Sequence, residues 1–275
     1  MKKRLESLDV LRGADLFFLL AVGPIVRRFI KLVDQPWLNE CYWLFDHVAW
    51  EGFSPWDIIM PLFVFMTGIT IPFALGRIRE ERRYGTALWR IVRRVVILWV
   101  FGMICQGGLL DKDPNTIYLY SNTLQAIAVA YAASALLFLF TKLRTQIIVA
   151  AVLLLGYWAA MEFVSVDGFG GGDYTPEKNL AEWVDNTVLG RFRDGAKVVD
   201  GVIVFDPKYH CTWILSSLTF IVTGLLGINN FYAGHSFRGI LKILALIAAC
   251  AFGVAFVALL VLYIFCIIEA FFIKK

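Results

Sequence analysis

Apolar residues in this chain gather into blocks separated by short polar stretches, and the lengths of those blocks predict its elements. A helix needs about 20 consecutive apolar residues to cross the hydrocarbon core of a bilayer, and several blocks approach that. The first predicted span runs from about Ala14 to Leu32, with Asp15 near one end and Arg27, Arg28 and Lys31 near the other. A loop rich in Trp and Pro, Val33 to Asp57, leads to a second span at Ile58 to Leu75. Its Pro61 and Pro72 are tolerated in lipid when neighbours re-satisfy the freed backbone groups. Further spans are expected at Val95 to Leu110, Asn122 to Phe140, Ile147 to Val166 and Cys211 to Gly227. Asp167 to Tyr209 is the longest polar segment, and its DYTPEKNLAEWVDNTVLG stretch predicts one short amphipathic helix. Residues 239–273 are almost uninterruptedly apolar. A single helix there would reach about 50 Å, too long for a core of about 30 Å, so two short spans turning near Phe252 and Gly253 are expected.

Charge sets the direction of these spans. The strongest basic block, RIREERRYGTALWRIVRR at 77–94, and the short loop TKLRTQ belong on the cytoplasmic side, because loops rich in Lys and Arg stay there. The acidic loop DKDPNTIYLYS then lies outside, and the final Lys274 and Lys275 return to the cytoplasm. The expectation is an all-α, polytopic transmembrane helix bundle of about eight spans with both termini cytoplasmic.

Composition excludes the soluble alternative. Hydrophobic residues make up 59% of the 275, and charged residues 17%, against about 25% charged in a soluble domain. No removable signal peptide is expected, since MKKRLESLDVLRG contains acidic residues and the apolar stretch after it ends without a small-residue cleavage site. Five cysteines show no metal-ligand spacing and no dense disulfide framework. Cys41 and Cys211 fall in loops on the same expected side, which leaves a pairing open. Neither a metal nor a nucleic acid has a recognisable binding motif here.

The candidate chemistry begins with His47, in FDHVAWEGFSPWDIIMP, ten positions before Asp57. Histidine gives or takes a proton near neutral pH, and a carboxylate can orient its ring and fix its tautomer. An interfacial histidine within an aromatic belt accounts for the same residues, and spacing alone leaves both readings open. Asp15, Glu162 and Glu269 stand at apparent membrane depth or its edge, where acidic groups mark a pathway or reach water at a helix end. Asp9, Arg12 and Asp15 share one helical face, as a structural ion pair or a substrate-binding edge. The arginines of the 77–94 block suit phosphate recognition, and equally suit a topology signal or contact with anionic lipid. His210, beside Asp206 and Pro207, is a weaker second candidate, and His235 reads as a cytoplasmic surface residue.

Several of these segments together resemble a known family. LESLDVLRGADLFF and HVAWEGFSPWDIIMPLFVFMTGITIPFAL are similar to the heparan-α-glucosaminide N-acetyltransferase family, and especially to its bacterial relatives. The basic loop, SNTLQAIAVAY and FDPKYHCTWILSSLTFIVTGLLG follow in the expected order, so the resemblance covers roughly residues 5–227. It implies a membrane-embedded acyltransferase, multi-pass and most naturally in a bacterial inner membrane. Acetyl-CoA would be bound from the cytoplasmic side, and the acceptor would be an amino sugar or envelope glycan on the outer face. The active histidine maps onto His47 and its aspartate onto Asp57. Asn39 and Asp15 are the substrate-binding candidates, and Arg12, Arg90, Arg93, Arg94 and Gln125 those for the donor, with no metal. Ala126 follows Gln125 where the family has arginine, which removes one expected polar contact. The family also continues through more spans after the sixth. Here LLGINNFYAGHSFRGILKILALI through YIFCIIEAFFI instead resembles a two-span TM2 domain, which sets residues 228–275 apart from 1–227. Membrane lipid is an implied partner, and a homo-oligomer is compatible with the pattern. The rival reading is a non-enzymatic membrane protein of the same fold, transporter-like or a scaffold.

Overall fold

A computed structural model describes residues 6–47, 50, 54–111, 113–199, 202–205 and 212–233. His210, Cys211, His235, Glu269 and the TM2-like tail with its two expected spans lie outside the described residues. The chain divides into two compact units, with boundaries after Met66 and after Tyr232.

In the first unit, α1 (Glu6–Phe17), a π-helical turn (Phe18–Val22) and α2 (Gly23–Val33) form one unbroken helical run. Pro24 explains the wide turn. It has no N–H, and its ring would press on the carbonyl four residues back. A π-turn opens the ladder there, and the Gly23 N–H bonds to the Phe18 carbonyl five residues earlier. Gly23 is also a point of close approach, because a Cβ on it would lie 1.9 Å from Trp56 Cη2. The run ends at Asp34 in the left-handed conformation (φ 47°), whose N–H bonds to Ile30 O. The short α3 (Pro36–Asn39) and a 3₁₀ turn at Tyr42–Phe45 follow, and a second 3₁₀ turn at Pro55–Ile58 opens α4 (Ile59–Glu80).

The second unit holds the rest of α4, then α5 (Tyr84–Cys105), α6 (Thr123–Phe140) and α7 (Leu143–Phe163). A small antiparallel hairpin, β1 (Ser165–Val166) with β2 (Phe169–Gly170), precedes α8 (Leu180–Leu189). A second hairpin, β3 (Ala196–Val199) with β4 (Val202–Phe205), precedes α9 (Ser217–Ala233). Of these contacts, α5 against α6 is the most extensive. Asn122 caps α6 by accepting from Leu124 N and Gln125 N, and it ties α5 down by donating to Gly102 O at 2.7 Å. The core is made by Ile71, Leu75 and Ile78 of α4, Ile91 of α5, Tyr131, Ala135 and Phe138 of α6, and Val222, Leu225 and Ile228 of α9. Where α4 crosses α9, a Cβ on Gly68 would lie 2.1 Å from Gly224 O, so glycine permits the crossing. Small residues serve this way in membrane bundles, where close van der Waals contact drives association.

Among the described residues, three helices are long and apolar enough to cross a membrane: Pro55–Glu80, Thr123–Phe140 and Leu143–Phe163. They coincide with the second, fourth and fifth expected spans. The third expected span needs correction. Helix α5 starts at Tyr84 and ends at Cys105, so Arg90, Arg93 and Arg94 lie within the helix rather than before it. Arginine is a good helix former, and nothing in YGTALWRIVRR breaks a helix. The sixth starts at Ser217 rather than Cys211, and the expected boundary after residue 227 falls inside α9. The fold is mostly helical, but the two hairpins correct a strictly all-α expectation. Both lie in the long polar segment, where the GFGGGDY turn and the Asp194–Gly195 step supply glycines at positive φ.

That segment is anchored by a buried cation. Arg193, 1% exposed, meets the Glu182 carboxylate at 2.5 Å, bonds to Asn186, and sits over the Phe205 ring. Asp185 accepts from Trp213 N at 2.6 Å and Ile214 N at 3.0 Å, fixing the chain just before α9 to α8. Burial pushes its carboxyl upward, although those two N–H groups and Arg193 oppose the shift. Tyr120 lies between the tilted rings of Trp99 and Trp213 and shares a 2.8 Å hydrogen bond with Ser217.

Candidate active site

Ser54, Pro55, Trp56 and Asp57 form a capping box at the entrance to α4. The Ser54 hydroxyl accepts from Trp56 N at 3.1 Å, and Asp57 Oδ2 accepts from Ser54 N at 2.9 Å. Ser54 is fully buried and its hydroxyl also donates to Asp46 O at 2.6 Å, which closes the loop on itself. The second carboxylate oxygen is thereby aimed at a neighbour. Asp57 Oδ1 lies 2.6 Å from His47 Nδ1.

This geometry dictates a tautomer. A carboxylate has no hydrogen to give, so the hydrogen in the short contact belongs to His47 Nδ1. The neutral ring then carries its lone pair on Nε2. The His47 side chain is 67% exposed and that of Asp57 25%, so the ring reaches out while its anchor stays sheltered. An imidazole held in this way can take a proton from an attacking group, or attack an acyl carbon itself.

The loop bearing His47 is gripped from α2. Arg27 Nη1 donates to Phe45 O at 2.9 Å and lies 3.5 Å from Asp46 Oδ1. Its guanidinium also lies over the Trp56 ring, 5.1 Å from the centroid. Lys31, one turn further along α2, lies over the Tyr42 ring. Sequence reading passed over Arg27 and Ser54. Ser54-Pro-Trp-Asp57 before an apolar run is the legible signature of a cap, whereas nothing local marks Arg27.

The other expected site residues stand in separate surroundings. Asn39 is exposed and donates to Asp34 Oδ1 at 2.9 Å. Arg12 Nη2 reaches Met66 O at 3.4 Å. Asp15 is 7% exposed, and its Oδ2 has no hydrogen-bond partner among the described residues. In the second unit, Arg90, Arg93 and Arg94 line a recess of about 410 Å³ with Trp89, Ile97 and Leu98. Arg94 lies 4.4 Å over the Tyr131 ring, while Arg90 and Arg93 are exposed. Gln125 is fully buried, accepts from Ser121 N and donates to Leu119 O, so its amide holds the turn before α6. Glu162 accepts from the Tyr174 hydroxyl at 2.8 Å. Cys41 forms no disulfide among the described residues. Among the described residues, no three His, Cys, Asp or Glu come together to hold a metal.

No family model matches this chain. Among curated proteins it is similar to the heparan-alpha-glucosaminide N-acetyltransferase of Homo sapiens, with 25% identity over 112 residues. The match covers 41% of this chain and 14% of the relative's length. With three helices among the described residues long and apolar enough to cross a membrane, the chain reads as a membrane protein with distant similarity to that N-acetyltransferase.

Proposed function

We propose that the chain is a membrane-embedded acyltransferase. It moves an acetyl group from acetyl-CoA, bound from the cytoplasmic side, to the amine of an amino sugar or envelope glycan on the outer face. The observation that carries this reading is the 2.6 Å contact between His47 Nδ1 and Asp57 Oδ1 at the opening of an apolar helix. Asp57 holds the ring with its Nε2 lone pair outward. Nε2 then removes the amine proton as the nitrogen attacks the thioester carbonyl, and the departing thiolate takes a proton to leave as CoA. In the two-step form, Nε2 attacks first and the acetyl group rests on the ring until the amine displaces it. Arg90 and Arg93, exposed on α5, are the proposed partners of the CoA phosphates, with Arg94 in support. Asp15 and Asn39 are proposed on the acceptor side, and Gln125 acts through the turn that it holds.

The test is acetyl transfer by the purified protein in nanodiscs, with acetyl-CoA and glucosamine, beside His47→Ala. CoA release that depends on both glucosamine and His47 is the expected result. CoA binding without turnover would leave a donor-binding relative that lacks transfer by itself. Neither binding nor turnover would sink the reading in favour of a non-enzymatic membrane protein.

A further inference from the structure

Arg27 stands where a cation is least expected. The cytoplasmic basic block at 77–94 leaves this end of the first span on the outer side, whereas Lys and Arg concentrate in cytoplasmic loops. Three engagements within the first unit account for its place. The guanidinium donates to Phe45 O, pairs with Asp46 and lies over Trp56. Phe45 and Asp46 immediately precede His47, and Trp56 immediately precedes Asp57. One side chain on a helix thus grips both flanks of the His47–Asp57 pair. Trp56 is itself seated on Gly23, four residues before Arg27 on α2, so the grip is referred to a rigid element rather than to the loop. Arginine suits the task because its planar fork directs donors outward while its face stacks on an aromatic ring. Lysine has no such face or fork.

We infer that Arg27 is a positioning residue, holding the His47 ring against Asp57 so that Nδ1 keeps the hydrogen and Nε2 stays open. This rests on the reading of His47 as base or acyl carrier, but it makes a claim about the ring that can be measured without turnover. A purely structural role for Arg27 would leave the His47 tautomer unchanged in a folded variant.

The experiment is ¹⁵N spectroscopy of histidine-labelled protein in nanodiscs, with the His47 signals identified by their loss in His47→Ala. The native protein is expected to show the Nδ1–H form in its neutral ring. Arg27→Gln should shift that signal toward the Nε2–H form that free imidazole favours, and Arg27→Lys, which keeps the charge beside Asp46, should restore part of it. In parallel, Arg27→Gln should lower kcat for acetyl transfer by about 10²-fold, as a small misplacement of a reacting group does, with the donor KM unchanged. An unchanged tautomer in folded Arg27→Gln overturns the inference, whatever happens to turnover. So does a native protein without the Nδ1–H signal. Should Arg27→Gln fail to fold, Arg27→Lys keeps the charge but removes the fork and the stacking face, and a His47 spectrum identical to the native one there overturns it equally. If His47→Ala leaves transfer intact while Arg27→Gln shifts the tautomer, the clamp stands and the catalytic reading falls.

Discussion

Asp57 uses its two oxygens for two different jobs, and this division makes it the most informative single residue. Oδ2 closes the capping box with the Ser54 N–H, and Oδ1 receives His47 Nδ1. Asp57→Asn keeps the size and one acceptor, but it brings an amide donor that competes for one of these places and disfavours the Nδ1–H tautomer. Acetyl transfer is expected to fall by about 10²–10⁴-fold while the helical content is retained, measured by CoA release beside circular dichroism. The pair itself was legible in the sequence as a histidine and an aspartate ten positions apart at a span entrance. Its orientation was not, because the direction of the Oδ1 lone pairs depends on a cap that closes only when the loop folds.

Among the elements, the hairpin β3–β4 and the helix α8 make the clearest case. Arg193 joins them through Glu182 and Phe205, and Asp194 sits at the start of the hairpin. Burial pushes the Asp194 carboxyl up to about 6, against the pull of Arg193 and the Gly195 N–H. A folded-state value above the ordinary 3.8 means that the folded form holds its proton more tightly than the unfolded form. This segment should therefore be most stable below about pH 4 with respect to this group, and lose stability as pH rises through about 6. The loss should be about 1 kcal/mol once partial exposure is allowed for. Amide hydrogen exchange at residues 196–199 and 202–205, corrected for intrinsic rates at pH 4.5 and 6.5, checks this. Protection that is flat or rises with pH after this correction contradicts it. Neither hairpin was legible beforehand, since each strand is too short to show an alternating pattern. The helix α8 was, because Asn179 caps it by accepting from Glu182 N and its polar and apolar residues recur at helical spacing.

For the whole molecule, the charge pattern predicts which side each connection faces. Single cysteines placed at Gly85 and at Tyr174, in a background lacking the five native cysteines, should be labelled from opposite sides of sealed membranes. Position 85 should react only after the cytoplasmic side is opened to the reagent, and position 174 without it. Labelling of both from the same side would overturn the assigned topology. The apolar blocks predicted most of the observed helices because lipid offers no partner for an unpaired backbone group. The small residues at crossings, Gly68 against Gly224 and Gly102 against Asn122, carry no signal of their own until two helices meet.

Helix positions and candidate chemistry thus came from local properties: apolar length, and a histidine near an aspartate. These depend on the solvent that each residue meets, which sequence alone specifies. The burial of Arg193 and the grip of Arg27 on the His47 loop came from contacts between residues farther apart in the chain. Arg27 and Asp46 are separated by nineteen positions and Arg193 and Glu182 by eleven. Partnerships of that kind depend on which surfaces are brought together, and that is settled by packing rather than by the pattern of any one segment.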